Sequence, residues 1–237
     1  MSDHIVKAFD EELQKLKTML AQMGGLAEEE LAKAIDAISR RDGALADAVI
    51  ASDAQVDQLE RAIEERAILV IAKRQPMASD LREIMVAIRV SSDLERIGDF
   101  AKNIAKRTHA ISEDYPRRIM TGISRMGTLA LTQLRDVLDA YVQRDDAKAM
   151  NVWKRDEELD ALYNSIFREL LTYMMEDPRT IGLCTHLLFG AKNIERIGDH
   201  CTNIAENIHY LVHGRLLTAE RPKGDVTSTT PVSELEK

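Results

Sequence analysis

The sequence has few of the residues that build β-sheets, disulfide frameworks or membrane spans. Aromatic residues make up 4% of the 237 residues, and the only cysteines are Cys184 and Cys201, which form no CxxC pair. Scarce aromatic residues disfavour a sheet-rich fold, and two isolated cysteines indicate a reducing cytosol and not a disulfide-stabilised secreted domain. No apolar run approaches the roughly 18 residues that a membrane helix needs.

An excess of positive charge is also missing. The chain has 32 lysines and arginines against 40 aspartates and glutamates, which leaves a formal net charge of −8. Proteins that bind nucleic acid normally need a basic surface to displace counterions from phosphates, so we expect no nucleic-acid partner. The first ten residues are amphipathic and acidic, unlike a signal peptide. We therefore expect a cytoplasmic protein without membrane insertion.

The apolar residues recur at three- and four-residue steps along most of the chain, which is typical of amphipathic helices. Polar clusters that contain proline interrupt this pattern at Pro76, Pro116 and Pro178. The pattern predicts six helices, at about 4–41, 43–73, 78–112, 117–144, 146–175 and 180–213.

The predicted helix ends carry the residues that helix ends prefer. Asp42 and Asp145 each precede an Ala-rich run, as N-cap residues do, and Gly214 follows the last periodic segment as a C-terminal stop. Residues 219–237 have no periodicity, and we predict that they form a disordered tail.

A twelve-residue segment occurs twice in the chain. Residues 94–105 (LERIGDFAKNIA) and 194–205 (IERIGDHCTNIA) are identical at eight of the twelve positions, at an offset of 100. Upstream, four aspartates match four others at an offset of 103: Asp36, Asp42, Asp53 and Asp57 match Asp139, Asp145, Asp156 and Asp160. Such a repeat indicates two copies of one supersecondary unit. We therefore predict an all-α fold of two tandem three-helix bundles, at 1–114 and 115–218, whose six long helices run antiparallel.

Each copy carries oxygen-bearing side chains four residues apart on its second and third predicted helices. Spacing of four residues places side chains on one face of a helix. The sets are Asp53 with Asp57 and Glu95 with Asp99 and Asn103 in the first copy, and Asp156 with Asp160 and Glu195 with Asp199 and Asn203 in the second. Like charges at this spacing destabilise a helix, and a multivalent cation between the two helices would reverse that effect. Hard oxygen ligands suit Mg, Mn, Ca or ferric iron.

Other interpretations of these residues stay open. Acidic pairs at this spacing are common on solvated helix faces, where an arginine such as Arg96 could pair with Asp99. Gly98 and Gly198, which lie between the acids, indicate either a close-packed helix crossing or room for a ligand, since glycine costs about 1 kcal/mol within a helix.

The histidines near the end of the last predicted helix have a simpler interpretation. His209 and His213 are four residues apart there, and we expect them to interact with the helix dipole in preference to a metal ion.

The motif Glu95-Arg-Ile-Gly-Asp99…Asn103 and its second copy resemble the acidic motifs of the PhoU family of phosphate-signalling regulators. The resemblance covers about residues 5–215, in length and in tandem three-helix organisation. It implies metal ions (Mg, Mn, Fe or Zn) on the acidic motifs. Carried over residue by residue, the first site is Asp53, Asp57, Glu95 and Asp99, and the second is Asp156, Asp160, Glu195 and Asp199.

The resemblance also implies a function. Such a protein is a cytoplasmic negative regulator of the phosphate-starvation response and of phosphate uptake, held at the inner face of the membrane by its partners. The implied partners are the ATPase subunit of the phosphate ABC transporter, a phosphate-sensing histidine kinase and a second copy of the chain, as a homodimer.

Catalysis is not predicted, because the sequence has no phosphate loop, no GxSxG motif and no nucleophile–base pair. Two alternatives stay open. One is a carboxylate-bridged metal enzyme on a helical bundle, to which the single ExxH of Glu206 and His209 points, although di-iron sites of that kind need two. The other is a purely structural helical scaffold.

Overall fold

A computed structural model describes residues 2–111 and 117–219, with side chains at 9–111 and 119–219. These residues form six α-helices, a 3₁₀ turn at Pro178–Thr180 and no strand. The helices are α1 (Ser2–Arg40), α2 (Gly43–Arg74), α3 (Ser79–Thr108), α4 (Arg117–Gln143), α5 (Asp146–Glu176) and α6 (Ile181–His213). The predicted all-α fold class is confirmed. The predicted joint at Pro116 and residues 220–237 of the predicted tail lie outside the described residues.

Three helix ends carry the predicted capping residues. Asp42 Oδ1 accepts a hydrogen bond from Leu45 N at 2.9 Å, and Asp145 Oδ1 accepts one from Lys148 N at 3.0 Å. Each cap of this kind contributes about 1 kcal/mol. Gly214 ends α6 with a φ of 72°, a left-handed conformation that glycine adopts without strain.

The end of α3 differs from the sequence prediction. The helix ends at Thr108 and not near residue 112. Ala110 N bonds to Arg107 O at 3.0 Å and Ile111 N bonds to Thr108 O at 3.4 Å, so the backbone tightens to three-residue steps and leaves the α-helix there.

The helices pack as two groups that share one hydrophobic core. Helices α1, α2 and α3 contact one another, as do α4, α5 and α6, and the groups meet through α3 with α6 and through α1 with α4. Buried apolar residues from all six helices belong to one cluster. Two-residue connections between packed helices, as between α1 and α2 and between α4 and α5, make those helices antiparallel. The division at residues 114 and 115 stays a prediction.

The contact between α3 and α6 pairs matching positions of the two copies. The rings of Phe100 and His200, which are related by the offset of 100, lie 5.7 Å apart between centroids. His200 Nδ1 also lies 2.9 Å from Asp93 Oδ1, to which Asn203 Nδ2 donates at 3.3 Å. The repeated segments therefore face each other across the contact between α3 and α6.

Among the described helices, none combines the length and the apolar character that a bilayer span requires.

Candidate functional site

The eight predicted acidic ligands lie at contacts between helices. Four of them are buried: Asp53, Asp156, Asp160 and Glu195. The other four are half-buried: Asp57, Glu95, Asp99 and Asp199. None lies on a fully exposed helix face, so burial and neighbouring charge both act on these carboxylates.

In the first repeat, a lysine joins two of the predicted ligands. Lys102 Nζ on α3 donates to Asp53 Oδ2 on α2 at 2.5 Å and to Asp99 Oδ1 at 2.6 Å. Burial favours the neutral amine, but these hydrogen bonds outweigh it and raise the pKa of Lys102 above its usual value. A cationic group therefore already bridges the acids of α2 and α3.

The other two predicted ligands of this repeat, Asp57 and Glu95, share the same acidic environment. Burial raises the pKa of Glu95, and the charges of Asp99, Glu60 and Asp57 raise it further. Arg96 offsets part of this charge, with Nη1 3.9 Å from Asp99 Oδ2. The predicted pairing of Arg96 with Asp99 is therefore present, but as a long and partly exposed contact.

The four-residue spacing of the acids did not predict one further acid of this cluster, Glu30 on α1. Ser52 Oγ donates to Glu30 Oε1 at 2.7 Å, while Glu30 Oε2 is buried and has no hydrogen-bond partner in the described part of the chain. Burial raises the pKa of Glu30 to about 7 against the effect of the Ser52 bond, and the charge of Asp53 adds to the rise. Glu30 matches Gln133 at the offset of 103, which is the signal that could have revealed it.

Gly98 on α3 leaves room for these acids. A Cβ added there would lie 3.2 Å from Glu30 Oε2, 3.4 Å from Val56 Cγ1 and 3.7 Å from Asp53 Oδ1. Gly98 is therefore consistent both with a close-packed helix crossing and with room for a ligand, because it allows a close helix contact and lets two carboxylates approach the backbone of α3.

Gly198 on α6 has an equivalent environment in the second repeat. A Cβ there would overlap Leu159 Cδ2 and would lie 3.2 Å from Asp156 Oδ1 and 3.3 Å from Gln133 Oε1. An acid and an amide thus approach α6 as two acids approach α3.

The second cluster contains a buried acid with an unsatisfied oxygen of its own. Lys192 Nζ donates to Glu195 Oε1 at 2.9 Å, and Glu195 Oε2 has no hydrogen-bond partner among the described residues. Burial raises the pKa of Glu195 to about 7, against the Lys192 bond, and the charges of Asp199 and Asp160 add to the rise.

The lysines enter the two clusters at different positions of the repeat. Thr202 stands where the first repeat has Lys102, and its Oγ1 donates to Asp199 O at 2.7 Å. Lys192 in turn matches Ser92 at the offset of 100. The two clusters are therefore similar in their acids and different in the cationic group that neutralises them.

The donor set of each cluster fits a hard cation. Each cluster contains carboxylates of neighbouring helices and a buried carboxylate oxygen without a donor, on Glu30 and on Glu195. Such an oxygen is costly when charged, and a bound cation would remove that cost. Within the described residues, however, three His, Cys, Asp or Glu ligand atoms lie within 4.8 Å of one another only at Asp146, His209 and His213. The eight acidic ligands stay a prediction.

Comparisons with known proteins agree with the repeat. The family model described as "PhoU domain" matches the chain twice, at residues 20–108 and 123–208. The chain is 57% identical over 227 residues, 95% of its length and 96% of the relative, to the "Phosphate-specific transport system accessory protein PhoU homolog" of Rhizobium meliloti. It is 40% identical over 215 residues, 91% of its length and 89% of the relative, to the phosphate-specific transport system accessory protein PhoU of Escherichia coli.

Two solved structures share the fold. The crystal structure of PhoU from Pseudomonas aeruginosa has a TM-score of 0.83 at 37% identity, and the match covers 87% of this chain and all of that one. The phosphate transport system regulatory protein PhoU from Streptococcus pneumoniae has a TM-score of 0.83 at 31% identity, with 89% of this chain and all of that one covered.

Proposed function

The chain belongs to the PhoU family, and we propose that it is a metal-binding, non-enzymatic regulator of phosphate uptake. When phosphate is plentiful it holds the phosphate-starvation response off by linking the phosphate ABC transporter to a phosphate-sensing histidine kinase. It acts in the cytoplasm, as a homodimer, and reaches the membrane through these partners.

The observation that carries this proposal is sequence identity, over nearly the whole chain, to proteins named as accessory proteins of phosphate-specific transport. Both repeats take part in the match, so the relatives share the whole six-helix unit and not one bundle alone. The fold supports an adaptor, because long rigid helices offer extended surfaces to two partners at once.

The acidic clusters support the metal part of the proposal. The residues that would hold the ions are Asp53, Asp57, Glu95 and Asp99 in the first repeat and Asp156, Asp160, Glu195 and Asp199 in the second. A bound cation supplies positive charge that offsets the repulsion among these acids. The acids of each cluster stand on neighbouring helices. An ion bound between them would hold these helices together and so order the surface that they present to a partner.

A reporter strain tests the regulatory function. The chain is expressed in Escherichia coli cells whose own PhoU gene is deleted, with a phosphate-starvation promoter driving a reporter enzyme in phosphate-rich medium. Wild type is expected to restore repression, and the double variant Asp99→Ala/Asp199→Ala is expected to lose it. The matched control is Asp36→Ala/Asp139→Ala, a pair with its own repeat offset of 103, whose acids are 52% and 63% exposed and form surface ion pairs. Failure of wild type to repress would overturn the regulatory function.

Co-purification tests whether the chain binds the two proposed partner proteins. A tagged chain is isolated from membranes of its own host, and the transporter ATPase and the histidine kinase are expected to follow it. If the reporter is repressed while neither protein follows, the adaptor mechanism is wrong.

A melting experiment separates metal-binding from the scaffold alternative. Binding of an ion to the native state alone must raise the melting midpoint by mass action. Excess Mg²⁺, a hard cation that prefers oxygen ligands, is therefore expected to raise the midpoint of wild type and not that of Asp99→Ala/Asp199→Ala. An unchanged wild-type midpoint would remove the metal from the proposal and favour the scaffold.

A further inference from the structure

A second kind of polar cluster lies away from the acidic ones, where the end of α6 meets the start of α5. His209 and His213 stand on the last turns of α6, and Asp146 is the first residue of α5. His209 Nδ1 lies 2.8 Å from Asp146 Oδ1, and His213 Nε2 lies 2.9 Å from Asp146 Oδ2. The centroids of the two imidazole rings are 4.5 Å apart. One carboxylate thus brings both ring nitrogens to the same small volume.

The chemistry of this cluster differs from that of the acidic clusters. Two imidazole nitrogens and one carboxylate are a ligand set that Zn²⁺ and other divalent transition metals use, with further positions open to water. The ligand atoms already lie within 4.8 Å of one another. We propose that Asp146, His209 and His213 bind one divalent transition-metal ion, for which Zn²⁺ is the best fit.

Position and access support the site. Gly214 caps α6 one residue beyond His213, so the ion would lie at the C-terminal end of a helix, where the helix dipole favours positive charge. The side chain of His213 is 37% exposed and that of Asp146 is 27% exposed, so an ion and its water ligands can enter from solvent. Because the carboxylate of Asp146 only accepts hydrogen bonds, each ring nitrogen that faces it carries the N–H in the metal-free protein. Metal binding would replace that hydrogen bond, with the ring proton moved to the other nitrogen and the freed lone pair on the metal.

The first repeat shows that this ligand set is not a by-product of duplication. His109 matches His209, but Gly43 stands where the second repeat has Asp146, and a Cβ on Gly43 would lie 3.3 Å from His109 Cε1. His109 Nε2 instead lies 3.0 Å from Asp47, whose side chain is 72% exposed. In the sequence, the position that matches His213 is Glu113. The pair of imidazoles with a shared carboxylate therefore belongs to the second repeat.

Metal titration of the full-length protein tests the proposal. Metal-free wild type and the variants His213→Ala and Asp146→Asn are titrated with Zn²⁺ against a chromogenic chelator, with His109→Ala as the matched control. Wild type and His109→Ala are expected to bind one Zn²⁺ that the other two variants bind far more weakly. The expected loss of affinity is at least the ~10–100-fold that follows from removing a partner that merely orients a metal ligand.

Co²⁺ gives an independent spectroscopic readout. Visible absorption bands of nitrogen-ligated Co²⁺ are expected in wild type and in Asp99→Ala/Asp199→Ala, and their loss is expected in His213→Ala. If the bands persist in the acidic double variant, this site is distinct from the proposed regulatory metal sites. The two proposals can therefore fail independently. The partly exposed His213 can be replaced without opening the core, and circular dichroism checks the fold. Wild-type Zn²⁺ affinity in His213→Ala, or an equal loss in His109→Ala, would overturn the proposal.

Discussion

Lys102 Nζ lies 2.5 Å from Asp53 Oδ2, so that a lysine of the third helix neutralises a buried acid of the second. The same ammonium bonds to Asp99. In the second repeat the matching residue is Thr202, and the cluster draws its lysine from Lys192 instead. The two copies thus have matching acids, but the lysine that competes with a metal ion for these acids stands at a different position in each copy. We therefore expect the two sites to differ in metal affinity.

Removal of the lysine should expose this competition. Lys102→Met removes the ammonium that bonds to both Asp53 and Asp99, so without metal the free energy of unfolding is expected to fall by about 1–3 kcal/mol. With the ammonium gone, Mn²⁺ is expected to bind the first cluster more tightly. Urea unfolding in chelator and calorimetric titration with Mn²⁺ measure the two effects. Lys106→Met, on an exposed position of α3, is the control, and equal behaviour of both variants would refute the competition.

The buried glutamates predict how the stability of the metal-free protein depends on pH. Burial sets the pKa of Glu30 and of Glu195 at about 7 in the folded chain, against 4.5 for an ordinary glutamate. Between these values the folded state holds protons that the unfolded state has released. The contribution of these protons to the free energy of unfolding is therefore fully present below about pH 4.5 and is lost as pH rises through about 7.

Glutamine substitutions isolate this effect. Each of Glu30→Gln and Glu195→Gln should flatten the pH dependence of the free energy of unfolding by an amount on the order of 3 kcal/mol between pH 4.5 and 7. Urea unfolding in chelator at several pH values measures it, and the exposed Glu29→Gln is the control. Other carboxylates titrate over the same range, so the readout is the difference from wild type. A wild-type slope in both variants would contradict the prediction.

The helix glycines should respond to alanine according to their surroundings. Gly25 is exposed on α1 with no atom within 4 Å of an added Cβ, so Gly25→Ala is expected to stabilise the protein by about 0.5–1 kcal/mol. Gly98→Ala places a Cβ 3.2 Å from Glu30 Oε2, and it should forfeit this gain and weaken Mn²⁺ binding in the first cluster. Gly198→Ala overlaps the buried Leu159 and should cost about 1–3 kcal/mol. Thermal melts rank the three variants, and equal stabilisation by all of them would contradict the prediction.

The parts of the fold that the sequence predicted have local causes. The period of the apolar residues marks each helix, and the N-caps at Asp42 and Asp145 depend on a hydrogen bond only three residues long. The internal repeat predicted that the helices form two like groups. The end of α3 was misplaced because the backbone tightens there without a proline or glycine as a signal.

From the sequence, only those site residues that share one helix could be grouped together. Four-residue spacing showed which acids share a helix face, but not which residue of another helix lies opposite. Glu30 joins the first cluster from α1, and Asp146 meets His209 although the two are 63 residues apart in the chain. Such contacts arise from the packing of helices, which the period of each helix does not specify. The four-residue spacing of His209 and His213 predicted an interaction with the helix dipole, but not their shared contact with Asp146.

Anomalous diffraction from crystals grown with Mn²⁺ would show whether the acids of each repeat hold metal. We expect one or more anomalous peaks within bonding distance of carboxylates in each cluster: Asp53, Asp57, Glu95 and Asp99 in the first, and Asp156, Asp160, Glu195 and Asp199 in the second. Crystals at a Mn²⁺ concentration that saturates binding in solution, with no peak at either cluster and with Lys102 still bonded to Asp53 and Asp99, would contradict it.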